Sequence, residues 1–506
     1  MLSTAKICIM ISIVVYLALV LYIGYLCSKK NENTDDFYLG GRKLGPFVTA
    51  MSAEASDMSS WLLMGLPGVA YLSGISDAGW TAIGLAVGTY INFLIVAKRL
   101  RRYSLVANNS ITLPQFFRNR FRDEGRALLL IPAVIIVIFF IPYTASGFAA
   151  CGKLFSSLFG VGYMPAMIIS AIVIVGYTML GGFLAASTTD FIQSIIMSVA
   201  LVVVLVYGVS VAGGISSVIE NAKALPGYLS MTAMYDPASG TSSPYGFITI
   251  ISTTAWGLGY FGMPHILLRF MAIEDEEKLT LSRRIASVWV VISMGVAVLI
   301  GVIGYTMSKV GAIEVLEGSN SETIIVKIAD ILSQNGVIFA LLAGVILAGI
   351  LASTMSTADS PLLAASSAVS SDILNQNGKE GILTARITLF LISVFAVILA
   401  RDPGSSVFQI VSFAWAGFGA AFGPVVLFSL FWRRMNKYGA LAGMISGGVM
   451  IFVWKYLIRP MGGAWNIYEL LPAFIVACAA IVAVSLMTPE PDQQVLADFD
   501  KVSSGR

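Results

Sequence analysis

Runs of about twenty apolar residues recur along almost the whole 506-residue chain, and that recurrence leaves few folds open. Only 12% of the residues are charged and 57% are hydrophobic, with a mean hydropathy of +0.85. A soluble domain carries roughly a quarter charged residues. The chain therefore reads as an all-α polytopic membrane protein, each segment satisfying its own backbone hydrogen bonds inside the lipid bilayer. About thirteen spans are expected, near 6–27, 46–72, 78–98, 125–149, 162–184, 188–212, 246–270, 286–307, 336–371, 382–400, 406–432, 438–457 and 466–487. The stretch Ile7–Leu26 has only Lys6 before it and no small-residue cleavage site after it, so it reads as a retained span.

The connections differ in charge. Lys29, Lys30, Arg42 and Lys43 follow the first span, and Lys98, Arg99, Arg101, Arg102, Arg118, Arg120, Arg122 and Arg126 follow the third. Arg283 and Arg284 follow the seventh, and Arg433, Arg434 and Lys437 the eleventh. Even-numbered connections hold few basic residues. The positive-inside bias thus places the N-terminus outside and the C-terminus in the cytoplasm. Connections 213–245 and 308–335 suit lids or short helices, and 488–506, with Pro489, Pro491 and mixed charge, reads as a loosely ordered cytoplasmic tail.

Other classes are excluded or weakened. A net charge of +3 gives no basis for nucleic-acid binding. Cys8, Cys27, Cys151 and Cys478 have no metal-ligand spacing. An enzyme is not expected: no HExxH, nucleophile elbow or phosphate loop occurs, and His265 is the only histidine. It reads more naturally as a hydrogen-bonding structural residue than as a proton relay.

Three spans carry chemistry. Met51–Gly68 holds Glu54, Ser56, Asp57, Ser59 and Ser60 together with Pro67. A carboxylate in mid-bilayer costs at least about 2.5 kcal/mol and marks an ion or substrate path. Polar residues, glycines and proline in one span also predict a broken helix whose freed carbonyls can bind a ligand. Ile248–Phe270 is interrupted by Gly257, Gly259, Gly262 and Pro264. These two spans are the second and the seventh. Five helices carry the chain across once, so a repeat of five would be inverted, with the first helix of each repeat broken. In Ala352–Ser360, Ser353, Ser356, Thr357 and Ser360 follow i, i+3, i+4 and i+7, which sets four hydroxyls on one helical face beside Asp359. Oxygen ligands crowded together suit a small hard cation.

Segments 37–50 (FYLGGRKLGPFVTA), 52–68 (SxxASDMSxWLLMGLPG), 256–272 (WGLGYFGMPHILLRFMA) and 412–435 (SFAWAGFGAAFGPVVLFSLFWRRM) resemble, in register over nearly the whole chain, proline-transporting members of the sodium:solute symporter family. The resemblance implies a leucine-transporter-type core of two inverted five-helix repeats. Its expected divisions are 1–45 (an extra helix and loop), 46–212 (first repeat), 213–245 (extracellular loop), 246–432 (second repeat), 433–487 (two further helices) and 488–506 (tail). It implies Na⁺-coupled symport of L-proline by alternating access; a monomer is expected to suffice for transport, with the oligomeric state left open. Another amino acid, pantothenate, a sugar or sialic acid is the alternative substrate on the same fold, with Na⁺ or H⁺ as coupling ion.

Carried across by motif, the sodium site falls on the carbonyls of Ala55, Met58 and Ser353 and the hydroxyls of Ser356 and Thr357, with Asp57 and Ser59 in support. The substrate site falls on Trp256, Tyr260 and Pro264, with Tyr143 and Trp61 as walls. Aromatic faces there suit a pyrrolidine ring and its secondary ammonium. Glu54 and Ser60 depart from the pattern, each standing where glycine is usual, and Glu54 is a candidate coupling variant. Asp359 stands where sialic-acid transporters of the family have a serine, so Asp190, Asp359 and Ser360 form a candidate second cation site.

Overall fold

The computed structural model describes residues 3–29, 38–374 and 378–504; Lys30 and Phe37, singled out above, lie outside them. Among the described residues, nine helices are long and apolar enough to cross a membrane, and four shorter apolar ones accompany them. Their burial sorts them into layers. The apolar windows of Val407–Phe431 and Val337–Ile373 are 78% and 67% buried, so these helices run through the middle. Those of Lys437–Met461 and Thr4–Cys27 are 28% and 33% buried, and their outward rows, such as Ile11, Val14, Val15 and Tyr22, are exposed. In lipid that is the expected arrangement, because helix association there rests on close packing and not on hiding apolar surface.

Three breaks among the described residues interrupt other helices. The first separates Pro46–Asp57 from Trp61–Gly65 and Leu66–Ser73, with Met58 at φ −76°, ψ 72°. The second lies between the tight turns of Ala255–Phe261 and the helix Pro264–Ala272, with Met263 extended. The third is at Gly182 inside Tyr163–Val211, where φ is +67°, a conformation that glycine adopts without strain. The far ends of the two broken helices are tied together: Leu44 N–H donates to Ala272 O (3.2 Å) and Glu274 N–H to Leu44 O (3.0 Å).

Glycines in the second broken helix also serve close approach. A Cβ on Gly88 would lie 2.6 Å from the Cα of Gly257, and one on Gly84 would lie 2.8 Å from the Cα of Thr254. The helix Ile75–Ile91 therefore meets Phe247–Phe261 backbone to backbone, as small residues permit in membranes.

Two expectations are corrected. Connection 213–245 contains the helix Ile215–Lys223 and also an antiparallel hairpin of Ala233–Asp236 with Thr241–Pro244. Asp236 fastens its turn by accepting from Ala238 N–H and from the Ser239 hydroxyl. The tail is not loose: Gln493–Ser503 is a helix that buries Val495, Phe499 and Val502. Its acids pair with the basic connections, Asp498 with Arg122 (3.0 Å) and Asp500 with Arg433 (2.9 Å).

Candidate functional site

The break after Asp57 is held by its own side chains. Ser59 Oγ accepts from Trp61 N–H (3.2 Å), and Trp61 Nε1 donates to the Asp57 carbonyl (2.9 Å). Such local bonds offer the backbone an alternative to continuing the helix. Tyr143 Oη donates to the same carbonyl at 3.3 Å, and the Tyr260 hydroxyl donates to Asp57 Oδ2. Asp57 is thus the point where the first broken helix, the second broken helix and the helix Ala127–Phe159 meet. Its Oδ1 has no hydrogen-bond partner among the described residues.

Facing this break is the hydroxyl-bearing helix Val337–Ser367. Ser356 Oγ lies 2.8 Å from the Ala55 carbonyl and 3.1 Å from the Ser353 carbonyl, so one hydroxyl joins three of the five sodium candidates across two helices. Thr357 Oγ1, one residue on, is buried without a partner among the described residues. Met58 ends the helix by donating its N–H to the Glu54 carbonyl (2.7 Å), and its sulfur receives the Ser293 hydroxyl (3.5 Å). Carbonyls at a helix break and two hydroxyls, one of them buried without a partner among the described residues, are a donor set that fits a hard monovalent cation.

The aromatic candidates lie side by side. Trp61 and Trp256 have ring centroids 6.1 Å apart, and Trp256 stacks on Tyr468 at 5.3 Å. Tyr260 meets Trp415 edge-on at 5.1 Å, while Trp415 Nε1 donates to the Trp256 carbonyl (2.7 Å). Pro264 opens the helix Pro264–Ala272, whose N-terminus has no side-chain cap. His265 follows. It is fully buried against the rings of Phe140 and Tyr143, and neither of its nitrogens finds a hydrogen bond among the described residues, contrary to the role expected for it.

The remaining candidates gather around a residue that sequence reasoning passed over. Arg269 Nη2 pairs with Asp190 Oδ2 at 3.0 Å and donates to Ser360 Oγ at 2.6 Å. Its Nε donates to Ser52 Oγ (2.9 Å) and its Nη1 to the His265 carbonyl (2.8 Å). Ser52 Oγ in turn donates to Asp190 Oδ2 (2.6 Å), and Ser360 Oγ to Asp359 Oδ1 (3.1 Å). Asp190, Asp359 and Ser360 do come together, then, but around a guanidinium that is itself 1% exposed. The available signal was a charged residue within an apolar helix.

A family model described as the sodium:solute symporter family matches residues 37–447, about four-fifths of the chain. The chain belongs to the sodium:solute symporter family. The chain is 42% identical over 503 residues to a sodium/proline symporter of Haemophilus influenzae, covering 97% of each protein. It is 41% identical to the sodium/proline symporter of Escherichia coli (95% of this chain, 93% of that one). With an osmoregulated proline transporter of Bacillus subtilis it shares 40% identity over 96% of this chain and 95% of the other. Among solved structures, a Na⁺-coupled sialic acid symporter in a substrate-bound outward-open state superposes with a TM-score of 0.77 at 17% identity, covering 96% of this chain and 99% of that one. A nucleobase-cation-symport-1 family transporter superposes at 0.56 and 14% identity, over 92% and 98%. These likenesses place the symporter in the leucine-transporter-type fold, as the sequence resemblance implies.

Proposed function

We propose that this protein is a secondary active transporter that carries L-proline into the cell together with Na⁺. The observation that carries the site assignment is the Ser356 hydroxyl, shared between the Ala55 carbonyl of the first broken helix and the Ser353 carbonyl of the facing helix. Beside it the orphaned Thr357 hydroxyl has a donor's place to fill. Na⁺ held by Ala55, Met58, Ser353, Ser356 and Thr357 would link the two helices and fix the break in one shape. Asp57 acts through that break. Its carbonyl is held by Trp61 and Tyr143 and its carboxylate by Tyr260, so ion binding and the aromatic walls share one residue.

The substrate reading rests on near full-length relatives named for proline and on the gathering of Trp61, Tyr143 and Tyr260 on Asp57, with Trp256 beside Trp61. Ring faces accommodate pyrrolidine, and the helix start offers a carboxylate the N–H of His265, since Pro264 has none and Ile266 N–H is held by the Met263 carbonyl (3.2 Å). The basic connections after the first, third, seventh and eleventh spans favour an N-terminus outside and a C-terminus in the cytoplasm of a bacterial plasma membrane. Each Na⁺ entering down 100 mV would supply roughly 2.3 kcal/mol. We assign the Asp190–Asp359–Ser360 cluster to Arg269, because an ion there would have to displace a cation already tethered by four bonds.

The test is radiolabelled proline uptake by proteoliposomes under imposed Na⁺ or H⁺ gradients, repeated for Asp57→Asn and Thr357→Ala. Both variants should lose uptake or demand far more Na⁺. Normal Na⁺ dependence in Thr357→Ala would remove the sodium assignment. Full uptake without Na⁺, driven by the pH gradient alone, would replace the coupling ion.

A further inference from the structure

Glu54 is a buried acid outside both the sodium and the substrate residues. It is fully enclosed, and neither of its carboxylate oxygens has a hydrogen-bond partner among the described residues. Three residues on, Asp57 lies on the same side of the helix with its own Oδ1 unpartnered. The helix Ile75–Ile91 brings a third orphan to the same place: Thr89 Oγ1, fully buried, stands beside Glu54 and Tyr260 without meeting hydrogen-bond geometry. Next on that chain Asn92 donates to the Tyr260 carbonyl (3.0 Å), which fixes the packing of the two helices at this level. No Lys or Arg pairs with either acid among the described residues. Buried carboxylates are tolerated when they are paired or coordinate a cation, and burying two side by side without one is costly. Four oxygens without a hydrogen bond of good geometry among the described residues, two of them on one carboxylate beside the Thr89 and Tyr260 hydroxyls, meet here from two helices.

We propose that Glu54, Asp57 Oδ1 and the Thr89 hydroxyl form a second subsite for a singly charged cation, next to the sodium site of Ala55 and Met58. The proposal rests on the sodium-coupled proline reading and extends it. Two sources can supply that cation: a second Na⁺, or the secondary ammonium of the bound proline. All-oxygen ligation suits the first. The shared position of Asp57, whose other oxygen is held by Tyr260 of the aromatic enclosure, suits the second. Either way Glu54 adds two carboxylate oxygens to the site.

The experiment is a reversal-potential measurement of Na⁺-to-proline stoichiometry in proteoliposomes, combined with ²²Na⁺ and radiolabelled proline binding to the purified full-length protein. Wild type, Glu54→Gln and Thr89→Val are compared, each first shown to elute as a single folded species. If the cation is Na⁺, wild type moves two Na⁺ per proline, and Glu54→Gln moves one and binds fewer Na⁺ in the absence of proline. If it is the ammonium, stoichiometry is one in all three, and Glu54→Gln weakens proline binding by about tenfold while ²²Na⁺ binding is unchanged. Thr89→Val should shift the same quantity in the same direction, by less. Stoichiometry, Na⁺ affinity and proline affinity all within about twofold of wild type in both variants would overturn the subsite. Failure of wild type to bind proline at all would instead remove the substrate reading, and ²²Na⁺ binding to Glu54→Gln would still report on the subsite.

Discussion

Among the described residues two ion pairs have both partners buried, and they are built on opposite principles. Lys153 and Glu322 meet at 2.7 Å where the helix Ala127–Phe159 passes the connection after Leu279–Lys309. Every oxygen of that carboxylate is used. Glu322 Oε1 accepts from Ser406 Oγ (2.8 Å) and Phe408 N–H (3.1 Å), and Oε2 accepts from Lys153 and from Val407 N–H (3.1 Å). The acid therefore also caps the N-terminus of Val407–Phe431, where helix N–H groups and the dipole favour negative charge. Arg269 and Asp190 are as deeply buried, yet their cluster is left incomplete. Asp359 brings a second carboxylate to a single guanidinium, and Asp190 Oδ1 and Asp359 Oδ2 remain unpartnered among the described residues. A satisfied pair holds helices in one arrangement, whereas a cluster with surplus charge has a reason to rearrange. The difference predicts that the first fastens helices and that the second takes part in movement during transport.

The sharpest way to break that comparison is to remove the cation from the unbalanced cluster. Arg269→Met leaves Asp190 and Asp359 buried together with nothing opposite them, a loss expected to cost about 3–5 kcal/mol. In detergent the variant should unfold at much lower temperature or aggregate, read by intrinsic-fluorescence melting and size exclusion. Adding Asp190→Asn and Asp359→Ser should restore a monodisperse protein that no longer transports. Wild-type stability in Arg269→Met alone would mean that a mobile ion, and not Arg269, balances those acids.

Glu322→Gln tests the other pair with a smaller expected effect. The amide keeps the shape but presents a donor where backbone N–H groups need an acceptor, and it leaves Lys153 unpaired. A loss of about 2 kcal/mol is expected, with Na⁺-dependent proline binding retained at wild-type affinity. Unchanged stability with abolished binding would make this pair a gate, and the contrast drawn above would fall.

What the sequence disclosed follows from which effects are local. Acids in an apolar run, a hydroxyl face at helical spacing and Pro264 after a glycine cluster are all readable within a dozen residues. They led to the broken helices and to Ser356. Arg269 was different, since its partners Ser52, Asp190 and Ser360 lie between 79 and 217 residues away and only the packed structure brings them together. The glycines of the second broken helix were credited with unwinding it, but Gly257 also gives room to Gly84 and Gly88 on another helix, a function no single segment reveals. The hairpin at 233–244 is four residues per strand and mostly exposed, too short to leave a pattern. The tail carries a legible signal of its own: Val495, Phe499 and Val502 follow i, i+4 and i+7, a stripe that the neighbouring prolines and charges mask.

The tail also supplies a third kind of ion pair, exposed where the other two are buried, and so the mildest test of the comparison. Asp498–Arg122 and Asp500–Arg433 are open to solvent, so salt should weaken them while leaving Lys153–Glu322 untouched. Raising salt from 0.1 to 1 M shortens the Debye length from about 10 Å to about 3 Å. Amide exchange in residues 493–503 should then quicken, and exchange in the helix Val407–Phe431 should not. The bond to Arg433 holds the Asp500 carboxyl below its ordinary value. Its contribution is therefore complete above the usual carboxylate range, near pH 4, and is lost only as pH falls through the lowered value. Across neutral pH the docking should not change. Phe499→Ala removes the apolar anchor over which Arg120 lies (5.4 Å) and should release the helix at every salt concentration. Release by salt as complete as release by Phe499→Ala would mean that charge alone docks the tail. Partial release by salt, with the rest following Phe499, is the outcome expected of a helix whose buried stripe holds it and whose surface pairs set its register.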